Sequence, residues 1–228
     1  MLKIPAFTRL CLAMTLSALA LPVLAEVVTN PPENSPKLEK ISRGLLMQYN
    51  GKMIFSPCRE RTYVDLVDQT PNQILTRQLQ QLGLSQGKPL YVEFFGTPAE
   101  NTQLKASWLN FAHTTARCQP AANLEEQWRA ISGTDLPSNQ GEWLLRVTDQ
   151  AAHLLQSPNP DYVDSPYAPI VRATGAVDLE LREQASGNRW EFRHALCRGK
   201  DREMLFGWSA TLKNGAATVL QGCGWQGF

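Results

Sequence analysis

The sequence predicts a mainly β protein built as two small antiparallel β-barrel-like domains, with one helix at about residues 71–83. Three observations predict it. Short segments with period-two alternation of apolar and polar residues fill most of the chain. A helical period is clear only between Thr70 and Gly83. The two halves also differ: Cys58 and Cys118 fall in the first, Cys197 and Cys223 in the second, and all six tryptophans follow residue 107. A chain with 43% hydrophobic and 19% charged residues has the means to bury a core and is not wholly disordered.

The first 25 residues read as a secretory signal. Lys3 and Arg9 form a basic start, an apolar run extends from Leu10 to Leu24, and Val23 and Ala25 stand at −3 and −1 of a cleavage site. The run is short of the ~20 residues that span a bilayer. Cleavage after Ala25 into the periplasm is therefore expected, leaving no transmembrane segment in the mature chain. Cys11 lies inside the run behind Arg9 and Leu10, which is not a lipobox. Without Lys3 and Arg9, 20 basic residues face 21 acidic ones. That balance excludes the basic footprint of a nucleic-acid binder.

Residues 26–41, with their Thr-Asn-Pro-Pro start at Thr29, read as an extended spacer. Leu45, Met47 and Tyr49 alternate as a first strand, Asn50-Gly51 marks a tight turn, and Met53-Ile54-Phe55 returns as a second. A third strand covers Thr62 to Val67. Thr70 then reads as an N-cap, Pro71 as the first helical residue and Gln73 as the partner of a capping box. Ile74, Leu75, Leu79 and Leu82 form the apolar helix face, closed by Gly83. Strands at Leu90–Gly96 and Lys105–His113 follow. The order β-β-β-α-β-β over residues 42–118 is that of an OB-fold.

Residues 119–124 read as a linker to a second domain, 125–228, an antiparallel β-barrel or sandwich. Its strands are expected at Gln127–Ile131, Glu142–Thr148, Ala151–Gln156, Ala176–Glu183, Arg189–Leu196, Met204–Leu212 and Ala217–Cys223. The proline-rich stretch Ser157–Pro169 reads as a long loop, and its Tyr162 and Tyr167 are the expected partner contacts. In the strand at 189–196, Trp190, Phe192, His194 and Leu196 share a face. His194 is either a hydrogen-bonded core histidine or, with Trp190, the lining of a ligand pocket.

Four cysteines in an exported chain allow three disulfide pairings. If the halves are separate domains, Cys58–Cys118 and Cys197–Cys223 is the economical one. A zinc site is disfavoured, because no Cys-x-x-Cys occurs and His113, His153 and His194 are scattered. No nucleophile elbow, phosphate loop or HExxH is present.

Gly44 with Leu45–Tyr49, Phe55-Ser56-Pro57-Cys58, Tyr63-Val64, and Lys88-Pro89-Leu90-Tyr91-Val92-Glu93 with Gly96 resemble the OB-fold domain of the NlpE-type envelope lipoproteins. Ala130-x-x-Gly133, Trp143, Cys197-x-x-x-Asp201, Gly207-x-x-Ala210 and Gly222-Cys223 resemble an uncharacterised bacterial envelope domain, similar also to the META/HslJ group. The resemblance implies an envelope location and a non-catalytic role. The Cys-x-x-Cys that NlpE carries in another domain has no counterpart here. The expected function is a periplasmic accessory protein, not an enzyme. It would need no cofactor or metal, would bind an envelope protein or glycan, and would have a possible link to envelope stress sensing. The alternative is a small-ligand carrier using the C-terminal barrel.

Overall fold

Thirteen strands form one connected sheet system in the computed structural model of the protein. It describes residues 40–99, 102–118, 126–133, 141–148, 151–156, 159–165 (backbone), 179–183 and 186–227. The chain divides into two units at Pro36/Lys37, and every described residue belongs to the second. The expected signal, most of the spacer, the 119–124 linker and Tyr167 lie outside the described residues.

The first half closes on itself. Strands β1 (Lys40–Tyr49), β2 (Lys52–Pro57) and β3 (Val64–Asp68) form an antiparallel meander. After α1 (Ile74–Leu82), β4 (Leu90–Ala99) pairs with β1, and β5 (Gln103–His113) pairs with β4. The parallel pairing of β3 with β5, Leu66 opposite Leu104, closes a five-stranded barrel of the order expected for an OB-fold. Leu46, Phe55, Leu66, Val92 and Phe94 fill it, and Leu75, Leu79 and Leu82 of α1 pack into the same core. Phe55 and Phe94 meet edge-on at 4.9 Å between ring centres.

The helix starts differently from expectation. Pro71–Gln73 form a 3₁₀ turn, and Asn72 and Gln73 take left-handed backbones, both at φ 53°. The capping box is not formed. Thr70 Oγ1 instead accepts from Leu75 N at 3.1 Å. Asp68 Oδ2 accepts from Thr76 N at 2.8 Å and Thr76 Oγ1 at 2.7 Å, so a β3 carboxylate satisfies one of the orphan backbone donors of the helix.

The second half adds β6 (Trp128–Ser132), β7 (Trp143–Val147), β8 (Ala152–Gln156), β9 (Asn159–Ser165), β10 (Leu179–Arg182), β11 (Asn188–Arg198), β12 (Met204–Asn214) and β13 (Ala217–Gln226). They pair antiparallel in the order β10-β11-β12-β13-β6-β7-β8-β9. Part of the expected loop at 157–169 is therefore a strand, β9. It pairs only with β8 among the described residues, and the register shifts between Leu154 and Gln156, beside Pro160. An edge position with a bulge is where a strand tolerates proline. The sheet curls around one core. Trp143 of β7 meets Trp190 of β11 at 5.4 Å, and Trp128 of β6 meets Trp208 of β12 at 4.8 Å.

The halves share β12. Met204–Phe206 pairs with the end of β5, while Trp208–Asn214 pairs with β13. Disulfides join Cys58 to Cys118 and Cys197 to Cys223, one within each half. No helix among the described residues is long and apolar enough to cross a membrane.

Candidate functional site

Alternation puts Leu45, Met47 and Tyr49 on one face of β1 and Gly44, Leu46 and Gln48 on the other, and the barrel buries the second, less apolar face. Gly44 and Leu46 point inward, with Leu46 fully buried. Leu45, Met47 and Tyr49 therefore face outward. Met47 pairs with Ile54, and Ile54 with Asp65, so these side chains share one outer surface across β1, β2 and β3. Val67 continues it by alternation on β3, and Tyr63 stands immediately before that strand. Tyr49 is 59% exposed and Tyr63 66%, with Val67 at the margin of exposure. Large apolar side chains on an open sheet face are costly unless something covers them. A salt bridge from Lys52 to Asp65 at 3.0 Å crosses the same face.

Beside this face lies a groove of about 520 Å³ between the β1–β2 turn, β3, the start of α1 and the start of β5. Met53, Leu66 and Val67 give it an apolar part, and Gln48, Gln73, Gln80, Gln103 and Thr76 give it a polar one. Asp68 also lines it. Its oxygens are occupied by Thr70 N at 2.9 Å, Thr70 Oγ1, Thr76 N and Thr76 Oγ1.

A second polar centre is structural. Glu93 on β4 is buried and accepts from the Tyr91 hydroxyl at 2.7 Å and from Asn110 Nδ2 at 2.9 Å, with Arg43 Nε at 3.3 Å. Burial, reinforced by the adjacent Glu93 carboxylate, pushes the Tyr91 phenol well above its ordinary range, so it stays a donor. Asn110 also holds the last strand, donating to Gln226 O at 2.9 Å and accepting from Gln226 N at 2.8 Å. This network clamps the C-terminal strand onto the first barrel.

The sequence-predicted residues scatter. Trp190 is 1% exposed and belongs to the core of the second half. His194 is exposed, not interior. It sits where the register of β11 with β12 breaks, and its ring lies 3.8 Å from that of Trp208, centre to centre. Trp190 is thus interior while His194 is at the surface, and in the core of the second half Trp143 packs against Trp190 and Trp128 against Trp208. Tyr162 lies in β9, its side chain outside the described residues. His113 Nδ1 accepts from Thr115 N at 2.8 Å, a local turn contact. Among the described residues no group of three or more His, Cys, Asp or Glu could hold a metal ion.

Sequence reading passed over Tyr49, Tyr63 and the groove glutamines. Tyr49 gave no signal of exposure, since Leu45, Met47 and Tyr49 are a more apolar set than Gly44, Leu46 and Gln48. The glutamines gave no local signal, since four separate segments supply them. Comparison with protein-family models, with curated proteins and with solved structures finds no match for this chain.

Proposed function

We propose that the protein is a non-catalytic binding module of the cell envelope, exported to the periplasm with cleavage after Ala25. Its contact surface is the outer β1–β2–β3 face of the OB-fold-like barrel. The observation that carries this reading is the pair of exposed tyrosines, Tyr49 and Tyr63, on that face. Aromatic side chains combine a large apolar area with a polar tip and lose little conformational entropy, which is why they anchor interfaces. Strands two and three of an OB-fold are its usual recognition face. The two disulfides fit an oxidising compartment. The likeness of residues 42–118 to NlpE-type OB domains supports the same location.

Co-sedimentation of the purified protein with the envelope fraction of its own cells tests the proposal. Tyr63→Ala is expected to weaken retention about tenfold, near 1.4 kcal/mol. Val219→Ala, at an exposed position of the other half, is expected to leave retention unchanged. Equal retention by both variants would remove the face from the argument.

A further inference from the structure

We infer that the groove between the β1–β2 turn, β3 and α1 is a subsite for a neutral oligosaccharide. This rests on the reading of the chain as an envelope-binding module and names a ligand class for it.

The hydrogen-bonding capacity left open in the groove is almost entirely amide. Gln48, Gln73, Gln80 and Gln103 line it, and their side chains make no hydrogen bond to any described residue. Gln78 and Gln81 on the same helix differ: their Oε1 atoms accept from Arg198 Nη2 at 3.4 and 3.3 Å. A primary amide offers two donors and a two-lone-pair acceptor side by side. A vicinal diol offers the same mixed pattern, whereas a phosphate offers acceptors only.

The charges select in the same direction. Lys52 is the one cation lining the groove among the described residues, and it is tied to Asp65 at 3.0 Å. The oxygens of Asp68 are filled by four donors from Thr70 and Thr76. No free cation faces an anion, and the lining carries one more carboxylate than it does ammonium groups. Anionic ligands are disfavoured and uncharged ones accepted.

Shape supplies the remainder. A volume of about 520 Å³ falls within the ~300–1,000 Å³ of small-molecule sites and leaves room for more than one sugar ring. Met53 and Val67 offer an apolar part against which the C–H face of a sugar can lie. The β1–β2 hairpin forms one wall through Gln48, Gly51, Lys52 and Met53. Gln73 enters the groove from a left-handed backbone, φ 53° and ψ 44°, which a residue with a Cβ adopts at a cost.

The test is an amide-resolved NMR titration of the whole protein with maltotriose, chitotriose and cellotriose. Glucose 6-phosphate and a sulfated disaccharide serve as anionic comparators. At least one neutral trisaccharide is expected to give saturable shifts at Gln48, Gln73, Gln80 and Gln103 at or below ~10 mM, the weak range usual for a single subsite. Gln73→Gly is the decisive variant. It relieves the left-handed strain, so the melting temperature should rise, yet it deletes one amide and should weaken binding about tenfold or more. Absence of shifts with all three sugars, tighter binding of the anionic compounds, or unchanged affinity in Gln73→Gly would each overturn the inference. If sugars fail while Tyr63→Ala still abolishes envelope retention, the binding-face proposal stands and this one falls. If sugars bind and retention ignores Tyr63, the reverse holds.

Discussion

Glu191 shows how one carboxylate can be held charged inside a sheet face. It is buried on β11, and Arg189 Nε at 3.0 Å, Arg193 Nη2 at 2.9 Å and Lys213 Nζ at 3.0 Å converge on it. Burial alone would raise its pKa. The three hydrogen-bonded cations overcome that and bring it from an ordinary 4.5 down to about 2. A depressed folded-state value stabilises the fold above the unfolded value and ceases to do so as pH falls through the folded one. The Glu191 contribution is therefore full above pH 4.5 and fades between about 4.5 and 2. Its size is on the order of 2–3 kcal/mol, since partly exposed Arg193 and Arg189 are screened by solvent. Glu191→Gln is expected to lower the melting temperature near pH 7 and to match the parent near pH 2. A difference that persists undiminished at pH 2 would contradict the ion-cluster account. The same residue-scale view separates Glu191 and Glu93 from a functional site. Each is buried and fully partnered, and each ties strands together.

At the scale of elements, what the sequence disclosed and what it hid have distinct physical causes. Strand positions from β1 to β5 were legible because turn chemistry and alternation agree there, as at Asn50-Gly51, where both residues take positive φ. The phase of β1 was not, because the more apolar set, Leu45, Met47 and Tyr49, faces outward and only barrel closure buries Gly44 and Leu46 instead. The start of α1 shifted because Asp68, a strand residue, accepts from Thr70 N, the bond that the local motif assigned to Gln73. β9 was obscured by Pro160, which alternation rules treat as a breaker and which an edge strand accommodates. The groove was illegible for a different reason. The parallel closure of β3 on β5 places Asp65 opposite Gln103, bringing together residues far apart in the chain. One element-scale prediction concerns the shared strand. Gly207 on β12 passes so close to β5 that a Cβ there would lie 1.7 Å from Leu109 O, a backbone atom. Gly207→Ala must push the strands apart and is expected to cost roughly 3 kcal/mol, read as a drop in the urea midpoint. A loss below about 0.5 kcal/mol would show that the two strands are not held in this register.

For the whole molecule, two cores and one sheet system coexist. Each half has its own hydrophobic cluster and its own disulfide, yet Leu205 of β12 packs in the first core while Ala210 and Leu212 pack in the second. The disulfide pairing was legible because the cysteines divide two and two between the halves. The continuity through β12 was not, since nothing local in Met204–Asn214 says that its first residues leave their own half to pair with β5. For the proposed contact surface this continuity acts as a mount. β12 and the Asn110–Gln226 contacts fix the back of the first barrel to the second half, and the β1–β2–β3 face is left outward. Hydrogen–deuterium exchange of the whole protein, with and without the isolated envelope fraction, tests that claim most directly. The account predicts added protection on the β1–β2 hairpin, on β3 and on the adjoining starts of α1 and β5, with the β10–β13 segments unchanged. Protection that falls on β10–β13, or on no described segment at all, would contradict it.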